Sequence, residues 1–151
     1  MTLTDPMTLT DLVAHTLPRL QALTDAQASA KAAPDVWSAK EVLGHLIDSG
    51  VNNHARFVRA SVQDGLELPG YAQNEWVTAG AYGARVWAEL VSLWAAYHLQ
   101  LAHVIAHLPP PSLAHTLRVG GGEAVTLGFL AEDYVAHQLH HLNQIWERTG
   151  A

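Results

Sequence analysis

The sequence predicts an all-α protein, an up-down four-helix bundle in one domain spanning residues 1–151. Three observations carry that expectation. Four stretches repeat apolar residues at helical spacing, turn and cap residues bound each of them, and no sustained alternating pattern of the kind a strand needs occurs anywhere.

The first helix is expected from about Thr10 to Leu23, with Pro18 kinking or breaking it because proline lacks the amide proton the helix needs. The small and polar residues Ala26 to Pro34 read as a linker. The second helix has a clear start. Ser38 and Glu41 stand at the N-cap and N3 positions of a capping box, and Trp37 and Val42 at those of a hydrophobic staple. It runs to about Ala60 or Gln63. A long loop follows, Asp64 to Gly80, of a length that in compact domains often carries function.

The third helix spans about Tyr82 to Leu108, with a stripe of Val86, Leu90, Leu93, Trp94, Tyr97, Leu101, Val104 and Leu108, and Pro109 to Pro111 end it. Two β-prone pieces, Thr116–Val119 and Glu123–Thr126, flank Gly120 to Gly122 and suggest a short hairpin-like segment. The glycines are not a phosphate loop, because the Lys-Ser/Thr pair of that motif is missing. Thr126 can cap the last helix, about Leu127 to Arg148.

Composition narrows the function. With 49% hydrophobic and 15% charged residues, the chain has a globular makeup. The formal net charge is -6 and the 8 Lys and Arg are scattered, so no nucleic-acid partner is expected. No apolar run approaches the roughly 20 residues of a membrane span. The start of the chain lacks a basic region followed by an apolar run, and the short repeat of Met1–Asp5 in Met7–Asp11 is too small for a structural unit. A cytoplasmic protein is expected.

There is no cysteine, which removes disulfides, thiolate ligands and a cysteine nucleophile, whereas there are 10 histidines. Histidine is the commonest metal-binding side chain. Two pairs, His103/His107 and His137/His141, have the i, i+4 spacing that presents both rings on one helix face. At about 100° per residue, His137 and His141 fall in the inward stripe with Leu127, Leu130, Tyr134, Gln138 and Ile145, while His140 falls about 120° away. His103 and His107 lie off their helix's stripe and read as a solvated side. On periodicity alone, His137 and His141 are either metal ligands or core histidines satisfied by hydrogen bonds. His45 shares a face with Ser38, Glu41, Asp48, Ser49, Asn52 and Arg56, opposite Leu43, Ile47, Phe57 and Val58. That polar row is either a solvated surface or a pocket wall. Phe129, Val135, Leu139 and Trp146 give the last helix a second apolar side, which a homodimer interface would cover.

The stretch Trp37-Ser38-x-x-Glu41-Val42-x-x-His45-Leu46-x-Asp48-Ser49, continued by Asn52, Arg56 and Phe57, resembles the second-helix signature of the DinB/YfiT-like superfamily. His137-x-x-His140-His141-x-x-Gln144-Ile145 is similar to that superfamily's closing motif, and Tyr71-x-Gln73-Asn74-Glu75-Trp76 to a loop of the YfiT branch. The resemblance implies a four-helix bundle, commonly dimeric. It also implies one divalent transition metal, zinc or nickel, on His45, His137 and His141, which would make the polar row a pocket wall. It implies a small-molecule substrate and an enzyme that is either a thiol S-transferase of the bacillithiol type or a metal-dependent hydrolase; a non-catalytic, stress-response metal protein is the remaining alternative. An ion on three neutral imidazoles keeps its full charge and open positions, and so can activate a bound water or thiol. In that reading Arg56 and Asn52 bind the cosubstrate, Arg56 through a carboxylate, and Asp48 assists as a catalytic or orienting group.

Overall fold

The computed structural model describes residues 7–151. The Met1–Asp5 half of the short repeat lies outside them. Four long helices dominate: α1 (Leu9–Gln21), α3 (Ala39–Val62), α5 (Trp87–Ala106) and α6 (Leu127–Thr149). Between them lie a one-turn helix α2 (Asp25–Ser29), a short helix α4 (Gln73–Gly80), 3-10 turns at Tyr82–Ala84 and Pro110–Ala114, and strands β1 (Leu66–Leu68), β2 (Thr116–Val119) and β3 (Val125–Thr126).

The helix ends follow the cap chemistry. Thr8, Ser38 and Thr126 accept from the third amide of α1, α3 and α6, and at α3 Glu41 returns the bond to complete the capping box. Several expectations need correction. Pro18 does not break α1, which continues to Gln21, although the ring forfeits one backbone hydrogen bond, to the Ala14 carbonyl. The stretch read as a linker contains α2, with its own capping box between Thr24 and Gln27. The third helix begins at Trp87, not Tyr82; Asp25 Oδ1 accepts from the Trp87 amide (2.8 Å) and so supplies the cap from a distant segment. The expected loop 64–80 holds β1 and α4.

The fold is not strictly all-α. The hairpin-like segment is an antiparallel pair, Thr116 opposite Thr126 and Leu117 opposite Val125, with Gly120 and Gly121 at positive φ in its turn. β1 adds in parallel on the other edge of β2, which makes a three-stranded sheet. Nor do all consecutive long helices pair as in a simple up-down bundle: α3 packs on α5, but α1 packs on α5 instead of α3, and α6 on α3 instead of α5. The main contacts are α1 with α5, α5 with α3, and α3 with α6. Long connections permit this, since only short loops force successive helices to be neighbours.

The core contains Trp94, Phe57, Leu43, Leu46, Leu101, Leu142 and Ile145, all fully buried. Of the predicted α5 stripe, Leu90, Trp94, Leu101 and Leu108 are buried, while Val86 and Leu93 are exposed. No helix among the described residues is long and apolar enough to cross a membrane.

A polar network is sealed between α5 and α6. His98 Nδ1 donates to the Trp94 carbonyl (2.8 Å), which leaves Nε2 to accept from the Tyr134 hydroxyl (2.7 Å). Tyr134 accepts from Gln138 Nε2 (3.2 Å), and Gln138 Oε1 accepts from Trp94 Nε1 (3.2 Å). Every member has partners, which makes the burial tolerable and allows only one rotation of α6 against α5. In the sequence, His98 one turn after Trp94 carries no signal of its own.

The segment after α4 crosses α3 by a close approach. The Tyr82 ring lies against Gly44 and Gly80, and a Cβ at Gly44 would run into it. The Tyr82 hydroxyl donates to Asp48 Oδ1 (2.5 Å). Gly50 likewise makes room for the Tyr97 ring.

Gly44→Ala should destabilise the protein by about 1–3 kcal/mol through overpacking, and adding Tyr82→Ala should recover part of the loss, as measured by urea denaturation of the single and double variants. Burial holds His98 at about 4, below its ordinary 6.5. The unfolded chain therefore takes up a proton that the folded one refuses, so stability is fullest above pH 6.5 and falls as the pH drops toward 4. The effect is on the order of 3 kcal/mol. The denaturation midpoint of metal-free protein should decline across that window, with a shallower slope in His98→Gln.

Candidate metal centre

His45 lies on the polar side of α3, and this side is not a solvated surface. His45, Asp48, Ser49 and Asn53 are buried, and Glu41, Asn52 and Arg56 are partly buried. α6 crosses α3 here and presents His137 and His141. One ligand nitrogen from each of His45, His137 and His141 lies within 4.8 Å of the others. The rings meet edge to face, with centroids 4.5–5.6 Å apart. The Trp37 ring covers His45 at 5.1 Å.

The hydrogen bonds show which nitrogens are free. His141 Nδ1 donates to Gln144 Oε1 (2.9 Å), so its Nε2 carries a lone pair. That Nε2 stands 3.1 Å from His137 Nε2. His45 is fully buried, and neither of its nitrogens has a partner. A buried imidazole without a hydrogen bond is costly, so this position calls for a cation or a ligand. Two nitrogens each about 2.0–2.1 Å from one ion, at about 90–110°, stand about 3 Å apart, which is what the His137 and His141 rings offer.

Electrostatics favours the ligand-competent forms. Burial and the neighbouring histidines push His45 and His137 down to about 4, and burial also lowers His141. All three rings are therefore neutral near pH 7, as ligation requires. Three imidazoles with no carboxylate suit zinc, nickel and similar ions, and disfavour magnesium or calcium.

The other residues singled out in the sequence take distinct places. His103 and His107 are exposed, with His107 Nδ1 donating to the His103 carbonyl (2.8 Å), and His140 is exposed as well. Asp48 is buried; its Oδ1 takes the Tyr82 hydroxyl, its Oδ2 has no partner, and burial raises its carboxyl above the usual range. Asn52 turns its amide back to the Asp48 carbonyl (2.9 Å). Arg56 lines a cavity of about 160 Å³ between α3, α6 and the Tyr71–Gln73 segment, with His137 in its wall. The asparagine lining that cavity is Asn53 and not the expected Asn52; it lies one residue, about 100°, further round the helix. Tyr134 lines it too, and so connects it to the buried network.

A family model described as the DinB superfamily matches residues 8–145. A protein of Oceanobacillus iheyensis, provisionally named a metal-dependent hydrolase, is 26% identical over 109 residues, which is 72% of this chain and 63% of that protein. The chain thus spans less than two thirds of that relative. A protein of Halalkalibacterium halodurans with the same provisional name is 24% identical over 135 residues, covering 86% of this chain and 78% of its own. Among solved structures, YfiT from Bacillus subtilis superposes with a TM-score of 0.79 at 20% identity, covering 94% of this chain and 84% of its own. It is described as a probable metal-dependent hydrolase with an unusual four-helix bundle topology, and the helix pairing here departs from the simple order too. A mycothiol-dependent maleylpyruvate isomerase superposes with a TM-score of 0.67 at 13% identity, covering 99% of this chain and 60% of its own. The extent of the family match makes the chain a member of the DinB superfamily.

Proposed function

We propose that the protein is a metal-dependent enzyme in which His45, His137 and His141 hold one divalent transition ion, zinc or nickel, and that its reaction is the transfer of a low-molecular-weight thiol to an electrophilic small molecule. The observation that carries the metal reading is the fully buried His45, with two unpartnered nitrogens beside the facing pair on α6. Such an ion supplies a positive charge that brings the pKa of a bound thiol or water toward neutrality.

The chain's own groups do the rest. Gln144 holds His141 in the tautomer that leaves Nε2 free. Trp37 and the buried face of α3 exclude water from the back of the centre. Asp48, kept from ordinary solvation and tied on one oxygen to Tyr82, is the nearest carboxylate along α3 and is suited to accept or hold a proton. Arg56 provides an anchor for an anionic end of the ligand.

Support for a thiol comes from the absence of cysteine in the chain and from the structural neighbour whose name includes mycothiol dependence. The hydrolase reading is favoured by the names of the sequence relatives. Alanine at His45, His137 or His141 should remove bound metal, measured by elemental analysis after dialysis, and alanine at His103 or His107 should leave it in place. Metal-loaded protein supplied with bacillithiol and a model electrophile should form conjugate, and metal-free protein should not. Ester or amide cleavage without thiol would favour hydrolysis instead.

The protein is also proposed to be a homodimer. Phe129 is 52% and Leu139 37% exposed on α6, whereas Val135 and Trp146 of the same predicted apolar side pack against the core, Trp146 under the Arg19 guanidinium of α1. Sedimentation at micromolar concentration should return the mass of two chains, and Phe129→Glu should return one.

A further inference from the structure

A centre built on three inward histidines has to receive its ion from water, and the fold closes most of the ways in. His45 is fully buried, and the Trp37 ring covers it at 5.1 Å. The cavity beside His137 has a volume of about 160 Å³. Six waters around a divalent ion, at about 30 Å³ each, already exceed that volume, so a hydrated ion does not pass through it intact. Nor does the cavity attract a cation strongly, because the Arg56 charge in its wall opposes that of Asp133.

The remaining side is the outer edge of α6. His140 stands there, exposed, immediately before the half-buried His141. Their rings meet edge to face, with centroids 5.1 Å apart and planes at 70°. His141 in turn lies 4.5 Å from His137 and 4.6 Å from His45, ring to ring. The four imidazoles therefore form an unbroken series from solvent to the buried ligand. The other exposed histidines at helical spacing, His103 and His107, face each other on α5 at 4.1 Å.

Taking an ion out of water in one step forfeits much of its hydration before a new bond replaces it. A side chain that takes the place of one water while the ion is still in solvent divides that cost. It also holds the ion at a high local concentration beside its destination.

We propose that His140 is the entry ligand of the centre: it captures the divalent ion from solvent and passes it to His141, and it is not one of the resident ligands. The inference rests on the metal-centre reading above and adds the route by which the centre is loaded. A group that takes part only along the path lowers the barrier in both directions. Its loss slows entry and exit alike and leaves the affinity unchanged. A resident ligand stabilises the bound state, so its loss speeds exit and weakens affinity.

Stopped-flow mixing of metal-free protein with nickel tests this. Entry is read from the quenching of tryptophan emission as the ion arrives beside Trp37, and exit from the recovery of emission in excess EDTA. His140→Ala should slow both rates by about tenfold and keep the equilibrium Kd within about twofold, as expected when local capture of a charged ligand is lost. His140→Glu, which puts back a metal-binding side chain, should recover most of both rates, and His140→Gln should not. His103→Ala should match the unaltered protein. Unchanged rates in His140→Ala overturn the proposal. So does faster exit with weaker affinity, which would make His140 a resident ligand. Failure of the metal reading looks different: quenching that does not saturate at one nickel per chain, or that survives in full in His45→Ala.

Discussion

The architecture turns on bringing three imidazoles to one point inside a helical core. Each neutral ring has a lone pair that must be met, and a fully buried ring such as His45 cannot turn to water for it. The α3–α6 crossing therefore has to be held tightly, because a small rotation of α6 would bury the His137 and His141 nitrogens against apolar neighbours or swing them into solvent. Two sets of contacts hold it. Leu142 and Ile145 are buried on the same helix, and Gln138 and Tyr134 are hydrogen-bonded to Trp94 and His98 on α5. The polar network is directional in a way the apolar contacts are not, and this directionality gives α6 a single rotational setting.

The cavity beside His137 is a product of the same crossing. α3 and α6 are in contact at the histidines and leave a gap filled from outside by the segment starting at Tyr71. That segment is anchored by few buried groups. Val77 is the one buried residue of α4, and beyond it the Tyr82 ring rests on Gly44 with its hydroxyl on Asp48. Gly44 immediately precedes His45, and Asp48 follows it by one turn. The cover of the site is thus fastened to the turns of α3 that carry the centre, so the absence of a side chain at position 44 serves the site as well as the fold.

Much of this was legible from spacing. The capping box at Ser38 and Glu41, the cap at Thr126 and the inward setting of His137 and His141 are local properties, set by a few residues and the 3.6-residue repeat. The exposure of His103, His107 and His140 follows from the same arithmetic. What was missed involves partners far apart in sequence. Asp25, just ahead of the stretch that reads as a linker, caps α5 from 62 residues away, and β1 finds β2 across about a third of the chain. The polar row of α3 could not be assigned from its own pattern, because a solvated face and a pocket wall have the same composition.

The sequence by itself determined the four long helices, their caps and the side of each that is apolar, because these depend on neighbours within a few residues. It also named the histidines, through motifs whose order and spacing resemble a family. Only the tertiary structure decided that α1 packs on α5 and α3 on α6, that His98 is buried with two partners, and that Asn53 instead of Asn52 lines the cavity beside His137. The physical reason is common to all three. Periodicity states which way a side chain points from its own helix axis, and burial depends on which other helix is brought against that side.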